Sequence, residues 1–222
     1  EGNGFGWRLI GRDATRYGNI GLNATDLSFS SAASSTRGAT GQMSIALGFN
    51  NTSDGYSSTT WGYANSAPGV FSTAFGSNNT ASGSRSVVWG DSNVSSSNRS
   101  TSWGVSNTSL AYHSTSWGQS NTAASLNSTV FGQYSINPIG QSTYSIVSTD
   151  DLLTIGNGTN GGSRSNALKI LKNAVQIQGG ITAADASALT PEPGMSAYVT
   201  TTDGTFTSIG FWDYENSLWV KR

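Results

Sequence analysis

Bulky apolar residues in the middle of this chain stand singly in a field of Ser, Thr, Asn and Gly, and they recur at a fixed step. Leu47, Trp61, Phe75, Trp89, Trp103, Trp117 and Phe131 lie fourteen residues apart. Each is followed by a glycine: Gly48, Gly62, Gly76, Gly90, Gly104, Gly118 and Gly132. Four residues before each glycine stands Ser44, Ser58, Ser72, Ser86, Ser100, Ser114 or Ser128. Three before stands Thr59, Thr73, Thr101, Thr115 or Thr129, with Ile45 and Val87 as the exceptions. Three after the first six comes Asn51, Asn65, Asn79, Asn93, Asn107 or Asn121. A second small residue sits midway, as Gly41, Gly55, Gly69 and Gly83, then Ser97, Ala111 and Ser125.

Fourteen residues are too few for a helix pair, but they suit one coil of two short strands and two tight turns. Thr, Val, Trp and Phe favour the strands. Gly and Asn at fixed places are expected to supply the positive φ angles of the turns. Like residues then stack on the next coil at strand spacing, so seven coils make a rod of roughly 34 Å. The spacing therefore predicts an all-β parallel roll, or solenoid, over residues 41–137.

One coil has a thin core, with a single bulky residue and mostly hydroxyls elsewhere. That is little to set against a backbone ordering cost of roughly 1–2 kcal/mol per residue. Stacked coils share their burial, and chains packed side by side bury a second apolar column. The Trp/Phe column is the expected glue, since one aromatic ring buries roughly 150–250 Å². Period alone leaves open whether it lines the coil or faces a partner chain.

The unit Ser-Thr-x-Trp/Phe-Gly-x-x-Asn-x-Ala-x-Gly, as in Ser72 to Gly83, resembles the head repeat of YadA-like trimeric autotransporter adhesins. The resemblance covers residues 41–135. It implies a left-handed parallel β-roll with three chains side by side, hence a homotrimer. The chain departs from that family where Trp or Phe replaces a small aliphatic residue before Gly, and where later coils lose the midway Gly. The roll is expected to survive both changes, with a wider trimer interior.

The flanks divide by composition. Residues 1–40, with Trp7 to Asp13 and Tyr17 to Gly21, resemble the cap preceding such repeats in Bacteroidetes surface and phage-fibre proteins, and a cap is the expected role of their arginines. Asn137-Pro138 signals the end of the repeat. Residues 138–189 read as a β-rich connector, from the alternation of Leu153, Ile155, Leu168, Ile170, Val175 and Ile177, with a helical turn or linker at 182–188. After Thr190-Pro191-Glu192-Pro193-Gly194, residues 190–222 read as a C-terminal β-meander resembling fibre-protein modules, with a hairpin at Asp203-Gly204. Its Trp212, Tyr214 and Trp219 are candidate sugar-stacking residues, weighed against service as the meander's own core.

Charge narrows the chemistry. Only 10% of residues are charged and the formal net charge is −1, so no overall basic field attracts nucleic acid or an anionic membrane. Seven Trp, eight Tyr and eight Phe argue for a folded chain, and with no Cys it folds without disulfides. No apolar run reaches the roughly 18 residues of a membrane span. No leader is visible, and a chain starting at Glu1 is expected to be a processed product or an excised piece. Between Gly41 and Val147 only Asp54, Arg85, Asp91 and Arg99 are charged, leaving little for acid–base catalysis. His113, the single histidine, falls in a variable column that elsewhere holds Ser57, Phe71, Arg85, Arg99 and Asn127, and it builds no triad or metal site. Gly156 to Gly161 matches G-x-G-x-x-G, but no amphipathic helix follows and Gln178 stands where a ribose-binding acid is needed. Sequons at Asn51, Asn93 and Asn107 are expected from composition.

The expectation is a non-catalytic extracellular fibre segment, without cofactor or metal, that binds a cell-surface glycan or protein receptor. The parent is expected to be a cell-surface adhesin or a virion tail fibre. The alternatives are an ice-binding solenoid using its Thr ladder, a self-assembling filament, and a plain stalk.

Overall fold

The computed structural model describes residues 5–136, 141–148 and 150–172, and the backbone of the strands Ala174–Ile177, Ser196–Val199, Gly210–Glu215 and Leu218–Lys221. The chain forms two units, Glu1–Gln176 and Ile177–Arg222.

The first unit is a parallel β-solenoid. A typical coil lays down a five-residue strand, Thr101–Val105, and a two-residue strand, Thr108–Ser109. Successive long strands pair in parallel at the repeat step, with Thr101 beside Thr115, Trp103 beside Trp117 and Gly104 beside Gly118. The short strands form their own parallel ladder on the other side, for example Val94 beside Thr108. The fourteen-residue coil of two strands is as the spacing predicts.

The ladder outruns the sequence repeat at both ends. Thr25–Phe29 pairs in parallel with Ile45–Phe49 and brings Ser28 beside Gly48. At the far end Asp151–Asn157 pairs in parallel with Thr129–Gln133, so Leu153 and Ile155 join the Thr and aromatic columns and Gly156 meets Gly132. The chain then reverses, and Asn166–Leu171 runs antiparallel to Asp151–Asn157. The G-x-G-x-x-G match is therefore the glycine of one more coil followed by a turn.

The interior is built from small side chains. Along the long strand the inward positions hold Ala46, Thr60, Ala74, Val88, Ser102, Ser116 and Val130, all buried. Facing them from the short strand are Ser53, Ala67, Ala81, Ser95, Ser109 and Ala123. Among the described residues no fully buried side chain is larger than Val88. Hydroxyls satisfy one another across this gap: Ser95 Oγ donates to Ser102 Oγ at 3.0 Å, and Ser102 Oγ to Ser109 Oγ at 3.1 Å. On four coils the Ser before the long strand donates to the carbonyl three residues back, as Ser72 Oγ to Gly69 O at 2.7 Å and Ser114 Oγ to Ala111 O at 2.7 Å. A cavity this narrow has no room for an indole, so the aromatic column stands outside.

Two turn roles differ from the expectation. Gly48 to Gly132 do carry positive φ, for example 117° at Gly62 and 110° at Gly104, and a Cβ at Gly104 would lie 2.1 Å from Gly118 O. The Asn column does not. The left-handed residue is the one before it, such as Asn78 (φ 54°) or Ser106 (φ 55°), while each Asn is buried. The midway glycines also lack positive φ; a Cβ on Gly55 would lie 2.1 Å from Gly69 O, so they serve close stacking.

The buried asparagines form a ladder. Asn93 Nδ2 donates to Trp89 O in its own coil (3.0 Å) and to Gly104 O in the next (2.7 Å). Its Oδ1 accepts the backbone N–H of Asn107 at 2.8 Å. The same contacts recur at Asn65, Asn79 and Asn107. A bend that would orphan buried amides and carbonyls is thus satisfied by one side chain per coil.

The second unit is known by its strand backbone. Ser196–Val199 pairs antiparallel with Gly210–Glu215, which pairs antiparallel with Leu218–Lys221. Asp203-Gly204 and residues 182–188 lie outside the described residues.

The ladder yields a stability prediction. The Asn93→Ala variant orphans Trp89 O, Gly104 O and the Asn107 N–H, and at about 1–3 kcal/mol per buried group the loss is at least about 3 kcal/mol. Asn78→Ser, at an exposed site whose column already holds Ser92 and Ser106, changes stability by no more than about 0.5 kcal/mol. Urea unfolding of the two variants checks this; equal losses would mean the ladder carries no special weight.

Candidate functional site

Three surfaces of the first unit carry side chains that the interior does not use. The broadest is the outer face of the long-strand sheet. Side chains alternate along a strand, so the Thr column, the aromatic column and the residue after Gly all point outward. Trp61, Trp89, Trp103 and Trp117 are 45–55% exposed. The Thr residues beside them are half-buried. The column runs on at its start through Leu27 and Leu47 and at its end through Ile155.

The rings stack on one another from coil to coil. Trp89 and Trp103 lie 5.6 Å apart with planes 14° apart, Trp103 and Trp117 are 6.3 Å and 27° apart, and Trp117 and Phe131 are 5.3 Å and 29° apart. Phe75 breaks the series, tilted by 61° against Trp61 and 57° against Trp89. Rings stacked this way spend their faces on each other and turn their edges outward. Between the columns run shallow apolar clefts, one of about 250 Å³ bounded by Thr101, Trp103, Thr115 and Trp117.

The second surface lies at the start of the roll, where a cavity of about 230 Å³ is lined by Gly6, Arg8, Leu9, Ile10, Gly11, Arg12 and Ile20. Its arginines are held within the chain. Arg8 Nε pairs with the buried Asp26 carboxylate at 2.9 Å, its Nη2 donates to Gly18 O at 2.9 Å, and its guanidinium lies 4.7 Å over the Tyr17 ring. Arg12 sits 5.2 Å over Phe29. Nearby, two hydrogen bonds from Thr15 hold the Asp13 carboxyl below its ordinary range.

The third surface is the turn that leads into each long strand, and sequence reasoning passed over it as variable. Its left-handed position holds Met43, Ser57, Phe71, Arg85, Arg99, His113 and Asn127 on successive coils, with φ between 50° and 59°. Phe71 meets Tyr56 edge-on at 5.4 Å, and Arg85 lies 5.5 Å over the Phe71 ring. Arg99 Nη1 is 3.1 Å from His113 Nε2, and His113 Nδ1 is 3.1 Å from Asn127 Oδ1. An arginine only donates, so Nε2 accepts and the ring proton sits on Nδ1, donating to Asn127. Tyr112, whose hydroxyl accepts from Asn98 Nδ2 at 3.1 Å, lies 5.0 Å from Tyr144, itself 75% exposed. A strict repeat makes such a column visible from sequence, because its residues change where everything around them is fixed.

The remaining candidates place as follows. Trp212 and Tyr214 fall in the strand Gly210–Glu215 and Trp219 in Leu218–Lys221, with Tyr214 and Trp219 in cross-strand register; their side chains lie outside the described residues. Asn51, Asn93 and Asn107 are buried with Nδ2 committed to carbonyls, so the folded roll offers no sugar-acceptor nitrogen there. Among the described residues, no three His, Asp or Glu side chains gather to hold a metal ion. No described helix is long and apolar enough to cross a membrane.

Comparison with known proteins agrees with the repeat. The family model of the YadA head domain repeat matches in two copies, over residues 39–59 and 67–93. No curated protein matches the chain. Both matched stretches fall on coils of the parallel β-solenoid, so the similarity is to the repeat unit and covers less than a quarter of the chain.

The stacked indoles predict an optical signature. Trp89 and Trp103 are close and nearly parallel, so circular dichroism should show a Trp–Trp exciton couplet, weakened in the Trp103→Phe variant while the β signal stays. A spectrum without the couplet would place the indoles elsewhere.

Proposed function

We infer that this chain is a segment of an extracellular fibre in which three copies stand side by side, their aromatic faces packed together, with receptor adhesion at the remaining exposed surface. The observation that carries this is the unbroken outward column from Trp61 to Phe131. Four indoles about half exposed, with the more covered Phe75 and Phe131, present on the order of 500 Å² of contiguous apolar surface. A contiguous patch of that size lies toward the upper end of what monomeric soluble proteins expose, where such patches commonly serve interaction. Ring edges favour meshing with another apolar surface over stacking beneath a sugar, which wants the ring face. The family match supports the same assembly, and a cell-surface adhesin or a virion tail fibre both accommodate it.

The Thr ladder keeps ice binding as a second reading, because the Thr column points outward rather than into the coil. Ile45 and Val87 interrupt it and bulky rings rise beside it, so it does not offer a flat hydroxyl lattice. A purified chain showing no thermal hysteresis at millimolar concentration fits the fibre reading.

Light scattering provides the direct test. The expected mass is three times the 23.0 kDa chain, as discrete particles rather than filaments. A Trp89→Ser/Trp103→Ser double variant should fall to monomer with its β-type circular dichroism retained. A stable 23.0 kDa monomer of the unaltered chain would contradict the assembly.

A further inference from the structure

The turn column has chemistry that neither the roll nor a packed aromatic face consumes. Arg85 and Arg99 stand on consecutive coils, both exposed, and neither is ion-paired among the described residues. The two side chains diverge. Arg85 leans back over Phe71 and Arg99 leans forward onto His113. Neighbouring coils are about 4.8 Å apart, so the two outward-leaning guanidinium groups are spaced along the roll and each meets a separate anionic group of a chain lying on it. Exposed aromatic rings lie at either end of the pair, Phe71 before it (47% exposed) and Tyr144 beyond it (75% exposed). Asn98 and Asn127 add amides beside it. From Ser57 to Asn127 the column runs for about 24 Å along the roll at the same strand spacing.

We propose that this strip binds a linear acidic polysaccharide, whose carboxylate or sulfate groups pair with Arg85 and Arg99 and whose sugar faces rest on Phe71 and Tyr144. The geometry suits a chain lying along the roll, because cations and rings follow one another in a line. Guanidinium groups bind carboxylate and sulfate oxygens through paired hydrogen bonds. Two arginines are too few for nucleic acid, whose affinity at physiological salt depends on many phosphate contacts. The rest of the chain supplies no basic field to add to them, since its formal net charge is −1. The proposal deepens the adhesion reading by naming a receptor class, and it depends on the turn column rather than on the number of chains in the fibre.

The test uses the full chain over immobilised heparin, hyaluronan and neutral dextran, with a single-stranded oligonucleotide as a further polyanion. Binding to heparin, hyaluronan or both, weakening as salt rises, with none to dextran, is the expected result. Heparin without hyaluronan narrows the anion to sulfate, and both together include carboxylate. The Arg85→Ser/Arg99→Ser variant should bind at least tenfold more weakly. Ser57 already occupies this left-handed column, so the variant is expected to fold, and unchanged circular dichroism and particle mass verify it. The inference is overturned if neither acidic glycan binds, if the double variant binds as well as the original, or if the oligonucleotide binds as tightly. Particle mass from light scattering, read separately, keeps such a failure distinct from failure of the trimeric fibre.

Discussion

One side chain per coil lets this solenoid turn its corner. At the bend after each long strand, a carbonyl in the same coil, one in the next coil and the next coil's N–H all point inward, away from water. The buried asparagine amide meets all three, as Asn93 does with Trp89 O, Gly104 O and Asn107 N. A shorter or apolar side chain would leave buried polar groups without partners, so the position is fixed by hydrogen bonding rather than by shape. The glycine column follows from the same bend, since its carbonyls stack too closely for a Cβ between them.

That solution makes the interior narrow, and the narrow interior determines what the outside must do. Ser, Ala, Thr and Val fill the space between the two strand layers. Such a core buries little apolar surface per coil, so stability comes from repetition of the ladder and from whatever covers the aromatic face. The bulky residues excluded from the coil collect on the outer sheet, where they stack into a column of half-exposed rings. In the proposed fibre, side-by-side assembly covers the surface that the coil's own dimensions exclude.

Much of this was legible in the sequence, though not evenly. A fourteen-residue step with Gly, Ser and Asn columns is enough to predict a parallel two-strand coil. It does not tell which side of the strand a column faces, because period is the same for an inward and an outward residue. The sizes of the alternating residues held the answer: Ala46, Ala74 and Ser102 sit where only small groups fit, and their neighbours Leu47, Phe75 and Trp103 do not fit there. The asparagines were assigned to the turn by propensity, whereas burial made them hydrogen-bonding struts. The coils at Thr25–Phe29 and Asp151–Asn157 escaped the periodic reading because loops of other lengths separate them from the repeat. The turn column reads as variable in the sequence, and period alone does not say that Arg85 lies over Phe71 or that Arg99 meets His113.

The central claim is that small residues and an asparagine ladder fill the coil while the aromatic column seals one chain against another. A crystal structure of the purified chain tests both halves at once. The account predicts chains side by side with Trp61 to Phe131 buried between them and Asn51 to Asn121 enclosed within each coil. Indoles turned into the coil interior, or a solitary chain with its ring column bare to solvent, would contradict it.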